Sequence, residues 1–457
     1  MALSNELDDP AFLLLASSSD EDDAAEHSPA EDCPPSPPAC TAAPFERTEP
    51  AHGAAAAATQ DIWQLVFSSL SCAELCRTCA PVCRTWREAA KGAAQWEAFD
   101  VDRAGTAGRV ILFDESGVLP ALAHWLCGRA RNLRLSTSDI GDRGLAALLA
   151  PTAGRRRPRT QTQVRRLDLS FCTRLTDAAL TSLSALPQLA SLNLDGVHRL
   201  SNPGLYSLAN GVGRSLRELS LDGESLTDHW LQQVLSALPL LEALEISFCE
   251  ALTDASLGSL MRHKRRRPFR KLALRKGFAF SDEAMMELLS APSCQPEQRA
   301  RESGLDNEPA TATVVGLEVL EELDLAECHA LGDLTGNAIG KHCRQLQNLV
   351  LSWCWGISDQ SALAVVGGCP ELVSLRLVGL KGLTTASLAA LPVCCPKLVE
   401  LDVRQCDYIE DDALCLISAG MDEKNAGSGR PRLVVRNYYG EVLRLAQPGL
   451  SPPRRVE

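Results

Sequence analysis

No apolar run in the chain approaches the roughly 18 to 20 residues that a membrane-spanning helix needs; residues 11–16 form only a short apolar island. The first ten residues hold Glu6, Asp8 and Asp9 and no Lys or Arg, the wrong sign for the basic start of a secretory signal. Histidine is scarce, with eight in 457 residues, and these are scattered. No Gly-rich phosphate loop precedes a suitable helix, and no His-Glu-x-x-His run occurs. No catalytic residue, no cofactor-binding residue and no metal ligand is therefore expected, and an enzyme is the least favoured class. Net charge is also nearly missing from most of the chain. Of the formal −13, residues 1–58 account for −11, with twelve acids against Arg47, which leaves −2 for the rest. Whole-surface attraction to nucleic acid or to an anionic membrane is not indicated.

Cysteine, in contrast, is abundant at eighteen residues. Many of these recur at fixed places in a leucine pattern of a long chain, which fits buried free thiols in a reducing compartment better than a secreted disulfide scaffold. Nine segments follow the template L-x-x-L-x-L, from Val164-Arg165-Arg166-Leu167-Asp168-Leu169 to Leu398-Val399-Glu400-Leu401-Asp402-Val403. Their central residues are Leu167, Leu192, Leu219, Leu244, Leu272, Leu323, Leu349, Leu375 and Leu401, spaced by 25, 27, 25, 28, 51, 26, 26 and 26 residues. Apart from one gap this is the period of leucine-rich repeats, about 20 to 29 residues. The gap holds residues 291–316, rich in Pro, Gln, Glu and Arg, and reads as an inserted loop. An irregular unit at Leu133-Arg134-Leu135 begins the array ahead of a basic insertion at residues 152–163.

Cys172, Cys249, Cys328, Cys354 and Cys406 stand three residues past the last strand leucine, where a small apolar thiol suits a tight inward bend. Leu175-Thr176-Asp177, Leu226-Thr227-Asp228, Leu252-Thr253-Asp254 and Ile357-Ser358-Asp359 follow, their hydroxyls placed to cap the next helix. Each unit is then a short strand, a bend and a helix. One repeat could bury some four leucine-like side chains at about 2 kcal/mol each. Ordering its residues costs more than about 25 kcal/mol of backbone entropy, so repeats must stack to fold. The pattern resembles the cysteine-containing subclass of leucine-rich repeats over most of residues 130–436. The resemblance implies an α/β horseshoe, a solenoid with a parallel concave sheet and convex helices, a fold that often follows an F-box in one polypeptide.

Residues 59–100 have a helical apolar spacing. The order Val66-Phe67, Leu70-Ser71, Glu74-Leu75, Val82-Cys83-Arg84-Thr85-Trp86 and Trp96 is similar to an F-box, with Ala58-Thr59 where the family has Leu-Pro. That resemblance implies docking on a Skp-type adaptor, and through it on a cullin scaffold, by Ile62, Leu65, Val66, Phe67, Leu70, Leu75, Val82 and Trp86. Val82, Cys83 and Trp86 suit the module's own core better than direct adaptor contact, and the residues nearer the start are the better interface candidates. Cys72, Cys76, Cys79 and Cys83 share one helical face, but a single helix does not close a tetrahedral metal site with all four.

Side chains alternate along a strand, so residues flanking the buried leucines face the concave side. Asp168, Asp195, Glu218, Asp222, Glu245, Glu322, Asp324, Glu400 and Asp402 outnumber Arg166, Lys271, Arg275, Arg376 and Arg404 there. A basic partner segment is expected, with Lys271 and Arg275 as a local site for an acidic or phosphorylated group. Asp168, Glu245, Lys271, Arg275, Asp324, Trp353, Arg376 and Asp402 are the candidate substrate-binding residues. Phe171, Phe248, Trp353 and Trp355 stand just past the strands, as partner anchors or as rim filling.

The combined reading is a five-part chain. It has a disordered acidic tail (1–58), an F-box-like module (59–100), a linker or capping segment (101–129), the repeats (130–436) and a terminal tail (437–457). The functional expectation is a non-catalytic substrate receptor of a Skp–cullin–F-box ubiquitin ligase. The other reading is a ligase-independent repeat scaffold with a degenerate F-box, in nuclear repair or cell-cycle control. Arg155-Arg156-Arg157-Pro158-Arg159 and Lys264-Arg265-Arg266-Arg267 are short basic runs that suit exposed loops or nuclear import signals, so the expected location is nucleus or cytoplasm, without membrane and without nucleic acid.

Overall fold

The computed structural model describes residues 97–100, 126, 130–149, 163–290, 319–425 and 431–443. The chain divides into two compact units. In the first, strand β1 (Ala98–Asp100) pairs in parallel with β2 (Asn132–Arg134), setting Phe99 beside Leu133, and helix α1 (Asp142–Leu149) follows. A strand thus stands already at 98–100, ahead of the unit at Leu133 that the leucine template picks out.

The second unit is a leucine-rich-repeat solenoid of α/β class. Its elements alternate along the chain: β3 (Arg166–Asp168), α2 (Asp177–Ser184), β4 (Ser191–Leu194), α3 (Asn202–Val212), β5 (Glu218–Asp222), α4 (Asp228–Ala237), β6 (Ala243–Ser247), α5 (Asp254–Arg266), β7 (Lys271–Leu274) and α6 (Asp282–Ser290). After the insertion come β8 (Glu322–Asp324), α7 (Asp333–His342), β9 (Asn348–Val350), α8 (Asp359–Gly368) and β10 (Ser374–Arg376). Two short helices, α9 (Thr385–Leu388) and α10 (Leu391–Cys394), precede β11 (Glu400–Asp402), α11 (Asp411–Asn425), β12 (Val434–Arg436) and β13 (Val442–Leu443). Strands β3 to β12 pair in parallel, each with the next, and β13 closes the series antiparallel to β12.

Register explains why the leucine template is so regular. Leu167, Leu192, Leu219, Leu244, Leu272, Leu323, Leu349, Leu375, Leu401 and Val435 stand side by side as one buried ladder. Leu272 pairs directly with Leu323, so the strands on either side of the insertion are neighbours in the sheet. Beyond Arg436 the chain turns back in a hairpin with Asn437 buried. The terminal residues at that point cap the last repeat.

Three kinds of hydrogen bond tie neighbouring repeats. The bend cysteines are buried, and four of their thiols donate to a carbonyl at or just past the end of the preceding repeat's strand: Cys172 to Leu135 (3.1 Å), Cys328 to Leu274 (3.1 Å), Cys354 to Leu325 (3.1 Å) and Cys406 to Leu377 (3.0 Å). The residue just before this position is left-handed in most repeats, including Phe171 (φ 58), Phe248 (φ 56), Glu327 (φ 61), Trp353 (φ 63) and Gly379 (φ 72). That costly conformation aims its N–H at the following repeat, as from Phe171 to Asp195 and from Trp353 to Val378 (2.8 Å each). The third tie is a carboxylate ladder. The aspartate that opens each helix accepts from the capping hydroxyl and N–H of the next repeat: Asp177 from Ser201, Asp228 from Thr253, Asp254 from Ser281, Asp333 from Ser358 and Asp359 from Thr384. Asp282 spans the insertion to bond the N–H groups of Leu334 and Thr335. Each carboxylate also sits at a helix N-terminus, where negative charge is favoured.

Thr176, Thr253 and Ser358 cap their helices as expected; Thr227 does not. The reason is local. The bend after β5 is one residue short, and Asn202 stands where the ladder needs an aspartate. The basic run 264–267 also departs from the exposed-loop reading. It closes α5, Lys264 is fully buried with Nζ donating to the Leu288 carbonyl (2.7 Å), and Arg267 pairs with Glu242. The run at 155–159, the acidic tail, most of the F-box-like module with its cysteine face, and the insertions, apart from Gln163, lie outside the described residues.

Candidate protein-binding surface

Strands β3 to β12 present one row of side chains away from the helices; the expected alternation shows as exposed–buried–half-buried in β3 and at the start of β5, and fails in β7 and β11, where Ala273 and Asp402 are buried. Most of the candidate residues meet in two clusters. On β6 to β8, Lys271 Nζ lies 3.1 Å from Glu245 and 2.9 Å from Glu322, and Arg275 Nε donates to Asp324 at 2.7 Å. Burial would lower the Lys271 pKa, but Glu322 and Glu245 together outweigh it and raise it. Arg275 is held up in the same way, against burial, by Asp324. Both cations are therefore firmly charged and already engaged by carboxylates of their own sheet.

On β10 to β12, Glu400 accepts from Ser374 (3.0 Å) and Arg376 (3.2 Å) and faces Arg436 at 3.8 Å. Burial pushes its carboxyl up, and these partners more than reverse the effect. Asp402 is 2% exposed instead of facing solvent, and Arg404 bridges it at 2.8 Å. Asp168 stands apart on β3, accepting from the Ser170 hydroxyl at 2.7 Å. Among the described residues no ion pair joins Glu218 on β5 or Asp195 just past β4, although the Asp195 charge adds to the field that holds Arg275 charged. The single charge census of the sequence thus separates into a self-neutralised region and an acidic one.

Trp353 lies not on a strand but at the bend, where its ring covers Gly379; a Cβ there would come within 2.5 Å of it. Phe171 covers Gly196 in the same manner. These two rings fill the rim between repeats, and Phe171 remains 56% exposed while doing so. Further along, Phe278, His329 and Trp355 form a continuous stack, with centroids 5.2 and 4.1 Å apart, and Lys276 Nζ sits 4.1 Å over Phe248. Phe278 and His329 escaped sequence reasoning; their register with Trp355 in successive bends is the signal that places them together. The clasping aspartates escaped it too, although their recurrence beside the capping hydroxyl was visible.

The ten described cysteines are free. Burial pushes the Cys328 thiol up to about 12 and the Cys406 thiol up to about 11, so neither offers a thiolate near neutrality. Among the described residues, no helix is long and apolar enough to cross a membrane.

Residues 60–101 match the F-box-like family model. Over 221 residues, 46% of the chain, the sequence is 29% identical to lysine-specific demethylase 2B of Mus musculus, and the match spans 15% of that protein. Among solved structures the chain is similar to that of the yeast Rad7 and Elc1 complex, at 17% identity and TM-score 0.43, covering 83% of this chain and 93% of that one. It is also similar to the leucine-rich-repeat-containing protein LegL7 of Legionella pneumophila, at 16% identity and TM-score 0.42, covering 71% of this chain and all of that one. The chain thus carries an F-box-like domain in front of a leucine-rich-repeat solenoid, the architecture of an interaction adaptor.

Proposed function

We propose that this chain is the substrate-recognition subunit of a Skp–cullin–F-box ubiquitin ligase. The F-box-like module docks on a Skp-type adaptor, through which the cullin is reached, and the solenoid holds a target protein for ubiquitination and proteasomal degradation. The observation that carries this reading is the F-box-like match at 60–101 in the same chain as the solenoid. The chain does no chemistry itself; it contributes proximity, converting an encounter between target and ubiquitin-charged enzyme into a reaction within one assembly.

The target is a protein with a basic segment, and that segment lies across the β4–β5 end, where among the described residues neither Asp195 nor Glu218 is held in an ion pair. Lys271 and Arg275 are poor phosphate receptors, since a phosphate would first have to displace Glu322 and Asp324. Co-purification tests the adaptor role. The full chain should capture the Skp adaptor, and Leu65→Glu with Phe67→Glu in the full chain should abolish capture. Absence of adaptor from the native chain under mild conditions would remove the ligase reading and leave a free-standing scaffold, the reading that Ala58-Thr59 in place of Leu-Pro favours.

A further inference from the structure

The repeat of β5 and its junction with the repeat of β4 depart in several places from the pattern described above. Gly223, unlike Gly196 and Phe248, is not left-handed. Asn202 replaces the clasping aspartate and spends its Nδ2 on the Ser225 carbonyl (2.9 Å), while its Oδ1 is buried without a hydrogen bond. Thr227 caps nothing. On the other side of this repeat, at the β5–β6 junction, Cys249, whose counterparts reach the preceding repeat, donates instead to Ile246 of its own strand at 3.3 Å. A cavity of about 390 Å³ lies at the β4–β5 junction, walled by Val197, Leu205, Leu221 and the side chains of His198, Asp222 and Glu224.

We propose that His198, Asp222 and Glu224 form a divalent-cation site, suited to Zn²⁺, that clasps these two repeats where the carboxylate ladder is missing. His198 Nδ1 lies 2.9 Å from Asp222 Oδ2 and 3.6 Å from Glu224 Oε2, and the three donor atoms fall within 4.8 Å of one another. Donors around a tetrahedral Zn²⁺ with bonds of about 2.0 to 2.1 Å stand about 3.3 Å apart, so the two closer separations bracket the required value. The second, independent sign is Asp222 itself. Its side chain is only 4% exposed, and Oδ2, although 2.9 Å from His198 Nδ1, makes no hydrogen bond to it or to any other group among the described residues. Oδ1 accepts the Glu224 N–H at 2.9 Å, which fixes the carboxylate with Oδ2 turned to the imidazole. A buried carboxylate oxygen left unsatisfied in this way marks a place for a positive partner. Imidazole beside two carboxylates favours a first-row transition ion over Ca²⁺ or Mg²⁺, which take oxygen donors. His198 and Glu224 are exposed on the solvent side, leaving the fourth position to water.

The test is Zn²⁺ titration by calorimetry of the full chain after dialysis against a chelator. The native chain should bind one equivalent more than His198→Ala or Asp222→Asn, a difference that separates this site from the thiols. Zn²⁺ should raise the thermal midpoint of the native chain and not of these variants. Glu224→Gln changes a side chain that is 74% exposed, so its fold is safe, and it should weaken that equivalent more than tenfold even if Asp222→Asn proves unstable. Equal stoichiometry and affinity in native chain, His198→Ala and Glu224→Gln would overturn the proposal, as would displacement of the Zn²⁺ by an equal concentration of Ca²⁺.

Discussion

Glycine at position 379 is required twice over. Its φ of +72° disfavours any side chain, and a Cβ would enter the Trp353 ring. Gly379→Ala should cost about 1 to 2 kcal/mol from the backbone alone, with a further loss from the displaced ring, read as a lowered denaturant midpoint. Adding Trp353→Ala should recover the ring part and leave the backbone part, so the two losses should not sum. The thiols make a second prediction at this scale. Cys328 and Cys354, buried and with raised pKa, should resist a maleimide at pH 7 in the folded chain and react on unfolding, as mass spectrometry of the peptides would report. The cysteine positions were readable from the sequence because a thiol recurs at one register. That four of them act as donors to the preceding repeat was not, because a hydrogen bond between units leaves no trace within either unit.

Between elements, the carboxylate ladder ties stability to pH. Burial would raise the Asp228, Asp333 and Asp359 carboxyls, but the hydrogen bonds from Thr253 and Ser256, from Ser358 and Ser361, and from Thr384 outweigh it and hold all three below 3.8. A carboxyl depressed by folding contributes stability in full above its unfolded value and loses it as pH falls through its folded value. Asp333→Asn should therefore lower stability at pH 7 by about 1 to 2 kcal/mol. The gap to the native chain should narrow below pH 4 and close once Asp333 is protonated in both states, as urea unfolding across this range would show. Converting Asn202 to Asp should do the opposite at neutral pH, restoring a bond to Thr227. The strand–bend–helix succession and the caps at Thr176, Thr253 and Ser358 were legible from the dipeptide Ser/Thr-Asp. The failure at Thr227 was not, since the same dipeptide stands there and what differs is the shortened bend and the asparagine at 202.

At the scale of the molecule, the period, the insertion at 291–316 and the buried leucine ladder follow from sequence because a solenoid repeats one local solution. The charge pattern of its concave face does not, because residues 25 to 50 positions apart become neighbours. Lys271 and Arg275 looked like available cations until Glu245, Glu322 and Asp324 came beside them. For a basic target segment, Glu218→Lys with Asp195→Lys should weaken capture by tenfold or more, most at low salt. Asp324→Lys should instead disturb folding, since it sets a cation against Arg275. Capture unchanged by the first pair would place the target elsewhere on the face.

Each bend thiol that reaches out of its own repeat reaches toward the part of the chain already synthesised. Cys172 needs Leu135, Cys328 needs Leu274, Cys354 needs Leu325 and Cys406 needs Leu377, in every case an acceptor that leaves the ribosome first. Growth of the array is accordingly vectorial: a nascent repeat finds a finished template behind it and can lock before the next one emerges. Cys249 has no such hold on its predecessor, and the step from the fifth strand to the sixth is tied instead by Asp228, which accepts from Thr253 and Ser256.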